Sequence, residues 1–255
     1  MEFFDSHAHY NDEKFNEDKD IVLNRLYNED KITRIVCAGY NLEKSRIAVD
    51  LAQKYSFLYS TVGISPNDLD DFYIESLEEI EKLAKEEKVV AIGEIGLDYY
   101  WNKENKNIQK DVFISQIEIA NRCNLPIVIH NRDAYIDTIQ ILKDNTVNKK
   151  GVFHCCQLNQ ELIKEALNLD FYISFSGNIT FKNAKSDTPV NLVPLNRILI
   201  ETDSPYLTPE PFRGTRNDSS KVKIVAQKIA EIKGVSIEEI AKVSYDNANK
   251  IFNIK

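Results

Sequence analysis

All four histidines of the chain fall in three short segments, DSHAH at Asp5–His9, PIVIH at Pro126–His130 and GVFH at Gly151–His154, and each segment reads as a buried strand ending on histidine. Neutral imidazole is a common metal ligand and titrates near physiological pH, so this placement points to one shared site rather than four unrelated imidazoles. His7 and His9 are two residues apart, which on an extended strand turns both side chains to one side, with Ala8 facing the other way. Together they can grip one cation. Two carboxylates sit in similar surroundings. Glu94 lies in AIGEIGLDYY, where Gly93 and Gly96 are expected to clear space around a group able to bridge two cations. Asp203 ends the apolar run LIETDSP, and a buried carboxylate needs a metal or another cation beside it. The blander alternatives are a salt bridge for Glu94 and a turn role for Asp203 before Ser204 and Pro205.

Four histidines and two carboxylates are too many for one tetrahedral zinc, so two divalent ions are the economical count. The mixed nitrogen and oxygen set suits zinc or manganese, with magnesium on the oxygen-rich side. A pair of ions about 4 Å apart polarises a phosphoryl or carbonyl oxygen while holding an activated water, which makes hydrolysis the expected reaction class.

Residues so far apart in the chain can meet only if the elements carrying them converge. Short apolar, β-branched runs recur at MEFFDSH, ITRIVCAGY, FLYSTVGI, KVVAIGEIGL, LPIVIH, GVFH, FYISFSG and RILIETDSP. Charged stretches with apolar residues at three- and four-residue steps lie between them, at Glu17–Asp30, Leu42–Tyr55, Ile74–Glu87, Ile108–Cys123, Asp133–Asp144 and Asn159–Leu169. Eight such units in 255 residues predict an α/β fold of the (β/α)8 TIM-barrel type as a single domain over residues 1–255, since an open doubly wound sheet more often stops at five or six strands. Ser236 with Glu239 forms a capping box, and EEIAKVSYDNANKIF predicts a final covering helix. In a barrel the chemistry collects at the C-terminal rim. His7 and His9 are expected to close the first strand, Glu94 the fourth, His130 the fifth, His154 the sixth and Asp203 the eighth.

Composition narrows the partners. With 32 Lys and Arg against 40 Asp and Glu, the net charge is −8, which argues against broad binding along duplex nucleic acid. It leaves room for a local anion site, because bound divalent ions reverse the sign of an acidic pocket. No run approaches the roughly 18 apolar residues of a membrane span, and the start MEFFDSHAHY lacks a secretory profile, so a cytoplasmic protein is expected. Cys37, Cys123, Cys155 and Cys156 follow no C-x-x-C spacing and read as reduced thiols. Cys155 and Cys156, beside a metal histidine, are expected to be small packing residues, with thiolate ligation or nucleophilicity as the alternative.

Taken in order, DSHAHY, GEIGLDYY, PIVIHNRDA, the FH at 153–154, ETDSPYL and RGTRN resemble the TatD family of metal-dependent deoxyribonucleases, within the wider amidohydrolase barrels. The resemblance implies that His7, His9, Glu94 and Asp203 bind one metal and that Glu94, His130 and His154 bind the second. It implies that Asp203 and Glu94 are catalytic, with Asp203 as base or proton carrier for the attacking water. It also implies hydrolysis of DNA, as a 3′-to-5′ exonuclease preferring single strands and 3′ ends.

The surroundings depart from the family pattern at several points. The third-strand segment, usually G-I-H-P-H, is here GISPN, so Ser65 and Asn67 replace histidines and retain only hydrogen-bonding capacity. The segment after His154, commonly C-F-S-G, is Cys155-Cys156-Gln157-Leu158, and the late loop, usually R-G-K-R-N-E-P, lacks its lysine and proline. Arg213, Arg216 and Arg132 are the candidates for phosphate contacts. Tyr99, with Tyr100 and Trp101, is the candidate stack for an unpaired base, and packing under a loop is the alternative.

Two other functions compete. One is an esterase or amidase using the same ions, such as a D-aminoacyl-tRNA deacylase. The other is a catalytically weak metal-binding or interaction protein. A monomer is expected throughout.

Overall fold

The computed structural model describes residues 1–69 and 73–255 of the chain. Eight strands, β1 (Phe3–Ala8), β2 (Ile32–Ala38), β3 (Leu58–Val62), β4 (Val89–Asp98), β5 (Ile127–Arg132), β6 (Gly151–Phe153), β7 (Tyr172–Phe175) and β8 (Ile198–Ile200), pair in that order, each neighbour parallel to the last. Helices alternate with them: α1 (Lys19–Asn28), α2 (Leu42–Lys54), α3 (Ile74–Leu83), α4 (Lys106–Cys123), α5 (Tyr135–Asp144), α6 (Gln160–Asn168), α7 (Asp187–Leu192), α8 (Val222–Lys233) and α9 (Ile237–Ile251). The expected TIM barrel is the observed fold, in a single domain.

Strands buried on both faces carry no polar alternation, and β4 is the clearest case, with all ten of its residues buried. One inward layer comprises Phe4, Val36, Val90, Val128, Val152, Tyr172 and Leu199, which fill the lower barrel as a packed core. The final helix covers this floor rather than the outer wall. Ala248 of α9 and Phe252 beyond it join the layer, and Phe4 packs edge-on to Tyr245 with ring centroids 5.7 Å apart. Ser236 caps α9 by accepting from the Glu239 N–H at 3.1 Å.

Six helices were expected between strands, and all six form with ends shifted by a few residues. Asn159, expected inside α6, is instead its cap, accepting from the N–H groups of Glu161 and Leu162. α3 stops at Leu83, short of the expected Glu87. Two helices, α7 and α8, lie where no periodic segment was singled out. α7 is only six residues long, too short to display a period.

Closure between β8 and β1 relies on few backbone bonds. Ala8 bridges Ser204, the His9 N–H donates to the Ser204 carbonyl at 2.6 Å, and the Asp203 N–H donates to the His7 carbonyl at 3.0 Å. Below these, side chains do the joining. The Asp5 carboxylate, fully buried, accepts from the Thr202 N–H at 3.0 Å, the Thr202 hydroxyl at 2.5 Å and the Ser219 hydroxyl at 2.5 Å. Tyr10 in turn donates to the Ser219 hydroxyl at 2.8 Å. Burial pushes the Asp5 carboxyl up to about 7, against the lowering pull of the hydroxyls and amide that bond it.

Four donors, the His7 N–H at 3.3 Å among them, would lose this acceptor in Asp5→Ala, and each buried orphan costs about 1–3 kcal/mol. The variant is expected to lose roughly 3 kcal/mol or more of stability in urea unfolding. Asp18→Ala, which removes an exposed ion pair, is expected to lose no more than about 1 kcal/mol in the same measurement.

Candidate metal centre

The six expected ligands meet at one end of the barrel. His7 belongs to β1 and His9 follows it; His154 follows β6 directly, and Asp203 follows β8 by three residues. Two positions differ from the expected strand ends. Glu94 is the sixth of the ten residues of β4, and β5 continues two residues past His130. The glycines beside Glu94 also serve another purpose than expected. A Cβ on Gly96, whose φ is +138°, would lie 2.0 Å from the His130 carbonyl oxygen, and one on Gly93 would lie 2.6 Å from the Val128 Cβ. They let β4 and β5 approach closely, and this brings Glu94 beside His130.

Glu94 is the hub. Its Oε2 lies 3.5 Å from His7 Nε2 and 3.8 Å from His9 Nε2, while Oε1 lies 2.9 Å from His130 Nδ1 and 3.4 Å from His154 Nε2. Asp203 Oδ1 completes the first group at 3.2 Å from His9 Nε2 and 3.7 Å from His7 Nε2. Three sets, His7 with His9 and Glu94, His7 with His154 and Asp203, and Glu94 with His130 and His154, each hold donor atoms within 4.8 Å of one another. Asp203 has a φ of +55°, a left-handed conformation that Asp adopts more readily than most residues.

The donor set fits divalent ions. His7 Nε2 faces His9 Nε2 at 3.1 Å, and His154 Nε2 faces His130 Nδ1 at 3.4 Å. Nitrogens that confront each other with carboxylate oxygens alongside are what a shared cation requires.

Two carboxylates that the sequence reading did not single out stand behind these histidines. Asp98, fully buried, takes the His130 Nε2–H at 2.9 Å, so that Nδ1 faces Glu94. Its remaining capacity is filled by the backbone N–H groups of Tyr100 and Trp101, both at 2.9 Å, and by the Asn67 amide at 3.2 Å. Burial opposes ionisation of Asp98, but the His130 bond and these amides outweigh it and hold the carboxyl at about 2. Glu201, also fully buried, places Oε1 3.4 Å from His154 Nδ1 and accepts the Cys155 N–H at 2.7 Å. A usable signal was present for each. Asp98 shares the parity of Glu94 on one strand, and Glu201 that of Asp203 beside another.

The electrostatics follow from crowding. Burial works against the charge on Glu94, yet His154, His130 and His7 hold its carboxyl well below the usual range. Asp203 is likewise lowered by His9 and His7 in spite of burial. Burial is outweighed at His154 by Glu94 and Glu201, which raise it well above normal. His9 and His130 are raised by their carboxylate partners, whereas burial and the neighbouring His154 lower His7. Burial drives the Cys155 thiol far upward, with Asp203 and Glu201 adding to it, so this residue stays a neutral thiol. Cys156 is buried and also raised.

A cleft of about 690 Å³ opens over Glu94, His130, His154 and Asp203. Ser65, Asn67 and Arg132 line it, with Trp101, Tyr40 and Tyr206. Arg132 is the only lysine or arginine among the described lining residues. Its guanidinium lies 3.9 Å from the Tyr100 ring centre and 5.3 Å from that of Trp101. Three expected contacts are placed elsewhere. Tyr99 is buried and donates its hydroxyl to Asp137 at 2.6 Å, and the exposed aromatics lining the cleft are Trp101 and Tyr206. Arg216 makes a two-pronged pair with Asp18 at 2.8 and 2.6 Å and donates to the Lys14 carbonyl. Arg213 donates to the Thr208 carbonyl at 3.1 Å and lies over the Phe181 ring. Both arginines pin loops.

An eight-stranded parallel barrel with histidines and carboxylates gathered at one rim defines the class of metal-dependent barrel hydrolases. The family model described as TatD related DNase matches residues 4–253, and the chain belongs to this family. It is 46% identical over 253 residues to an uncharacterized metal-dependent hydrolase, YabD, of Bacillus subtilis strain 168, covering 98% of this chain and 99% of that one. It is 39% identical over 259 residues to the corresponding YcfH of Escherichia coli K12, covering 100% of this chain and 97% of the relative. The crystal structure of YJJV, a TatD homologue from Escherichia coli K12, superposes with a TM-score of 0.94 at 26% identity, covering 99% of this chain and 98% of that one. The protein is therefore a metal-dependent hydrolase of the TatD family.

Because Arg216 is spent on Asp18, Arg216→Ala is expected to leave divalent-ion binding unchanged within about twofold in a calorimetric titration. Its cost in stability is expected to stay near 1 kcal/mol or below, as for other exposed pairs.

Proposed function

We propose that the protein hydrolyses DNA phosphodiester bonds with two divalent ions, removing nucleotides from the 3′ ends of single strands. The observation that carries this reading is the division of Glu94, whose Oε2 faces His7 and His9 while its Oε1 faces His130 and His154. His7, His9, Glu94 and Asp203 would hold one ion, and Glu94, His130 and His154 the other. Magnesium, manganese and zinc all suit the donors. Bound divalent ions supply Lewis acidity toward a phosphoryl oxygen and lower the pKa of a water molecule.

The chain's own residues do the rest. Asp203 lines the cleft, with His9 against its Oδ1, and takes the proton of the attacking water. Arg132 offers its guanidinium to a phosphate oxygen, steadied by the faces of Tyr100 and Trp101. Trp101, 65% exposed, offers a ring face on which an unpaired base can stack. Ser65 and Asn67 border the same cleft and give it hydrogen-bonding groups where other family members carry histidine. A cleft of about 690 Å³ is the size of a small-ligand site, which suits a strand end better than a duplex lying across the surface. The net charge of −8 favours the same conclusion. We place the protein in the cytoplasm as a monomer; among the described residues no helix is long and apolar enough to cross a membrane, and the four cysteines are free.

The test is a labelled single-stranded oligonucleotide, marked at either end, incubated with Mg²⁺ or Mn²⁺ and then with chelator, beside an aminoacyl ester. Metal-dependent shortening from the 3′ end is expected, abolished by chelation. Ester cleavage with intact DNA would overturn the reading. Asp203→Ala is expected to reduce kcat by roughly 10²- to 10⁴-fold while circular dichroism stays unchanged.

Substrate contacts are checked by steady-state kinetics. Arg132→Ala is expected to raise KM about tenfold, a loss of about 1.4 kcal/mol. Trp101→Ala is expected to weaken single-strand binding by about 1–3 kcal/mol. Tyr99→Phe should leave both within about twofold, since its hydroxyl is spent on Asp137.

A further inference from the structure

The two groups of donors around Glu94 are backed differently. In the group on Oε2, the His9 Nδ1–H faces a neutral acceptor, the Ala38 carbonyl, at 3.2 Å, and the buried His7 Nδ1 has no hydrogen-bond partner among the described residues. This group has an acid of its own in Asp203, placed beside His9 and His7. In the group on Oε1, Glu94 is the only carboxylate among the described residues within ion-pair distance on the inner side; Asp203 comes within 4.8 Å of His154 but pairs with His9 and His7. Instead each histidine has a buried carboxylate beside its far nitrogen: Asp98 accepts the His130 Nε2–H at 2.9 Å, and Glu201 Oε1 lies at ion-pair distance, 3.4 Å, from His154 Nδ1, which like His7 Nδ1 makes no hydrogen bond among the described residues.

Neither backing group is free to turn away. Asp98 is fixed by three further donors at its carboxylate, and its own backbone is clamped by Gln109, which accepts the Asp98 N–H at 2.8 Å and donates to its carbonyl at 3.0 Å. Glu201 is anchored by the Cys155 N–H and is fully buried, while its Oε2 has no hydrogen-bond partner among the described residues. A buried carboxylate with an unanswered oxygen is costly, and such a group is expected to compensate positive charge nearby. A carboxylate on the far nitrogen of an imidazole fixes its tautomer, fixes the ring and makes the near nitrogen a stronger donor.

We propose that Asp98 and Glu201 are positioning residues that make the two ion positions inequivalent: they give the His130 and His154 position, through imidazole, the negative charge that the His7 and His9 position receives directly from Asp203. This rests on the two-ion reading above. Removing either backing charge weakens one ion and spares the other.

The experiment titrates Mn²⁺ alone into the metal-free wild-type protein, Asp98→Asn and Glu201→Gln, following affinity by calorimetry and ion pairing by electron paramagnetic resonance. Wild type is expected to bind two ions and to show the signal of a coupled pair. Each variant is expected to lose 10- to 100-fold in affinity for one ion, keep the other within about threefold, and show an isolated Mn²⁺ signal at two equivalents. Glu201→Gln retains an oxygen for the Cys155 N–H, so it carries the test even where Asp98→Asn fails to fold. Two ions bound with wild-type affinity in both variants, or both ions weakened alike in folded variants, would overturn this proposal alone. A wild-type protein that binds fewer than two ions would overturn it together with the proposed function.

Discussion

Four imidazoles and two carboxylates packed into a buried pocket repel or stabilise one another according to where protons and cations lie, and the whole rim is arranged around this constraint. Glu94 sits at its centre. Its ionised form survives burial because histidines crowd both of its oxygens. The same crowding forces like donors into contact, His7 against His9 and His130 against His154. His7, Glu94 and His130 lie on strands, and His9, His154 and Asp203 lie within three residues of a strand end. Parallel strands can hold such an arrangement, because each side chain is fixed by a backbone whose hydrogen bonds are made elsewhere.

The barrel seam belongs to the same design. β1 and β8 are joined at the top by bonds through His7, His9, Asp203 and Ser204, so the backbone that closes the barrel also sets the distance between the histidine pair and its acid. Asp5 and its hydroxyl partners hold the two strands just below. Stability and site geometry are thus coupled at one place in the fold. On the other side, close packing of β4 on β5 across Gly93 and Gly96 brings Glu94 to His130.

An acidic chain that acts on an anion must confine its attraction to a small region. Among the described residues of the cleft only Arg132 brings a fixed positive charge, and two aromatic faces steady it. Arg213 and Arg216, which the sequence favoured over Arg132, use their guanidinium groups on loop carbonyls and on Asp18. The difference lies in neighbours contributed by distant segments.

The sequence by itself determined the barrel and the six residues that meet at its rim. Strand and helix periods are local, and eight alternations of them admit few closures. Histidines two apart on one strand had to face the same way, whatever the rest of the fold did. Tertiary structure alone decided how these groups are divided and supported. That Glu94 splits its oxygens between two groups, that Asp98 and Glu201 stand behind His130 and His154, and that Trp101 rather than Tyr99 faces the cleft all depend on contacts between separate strands and loops. Such contacts are set by packing and by the pairing of buried polar groups, and neither leaves a period in the chain.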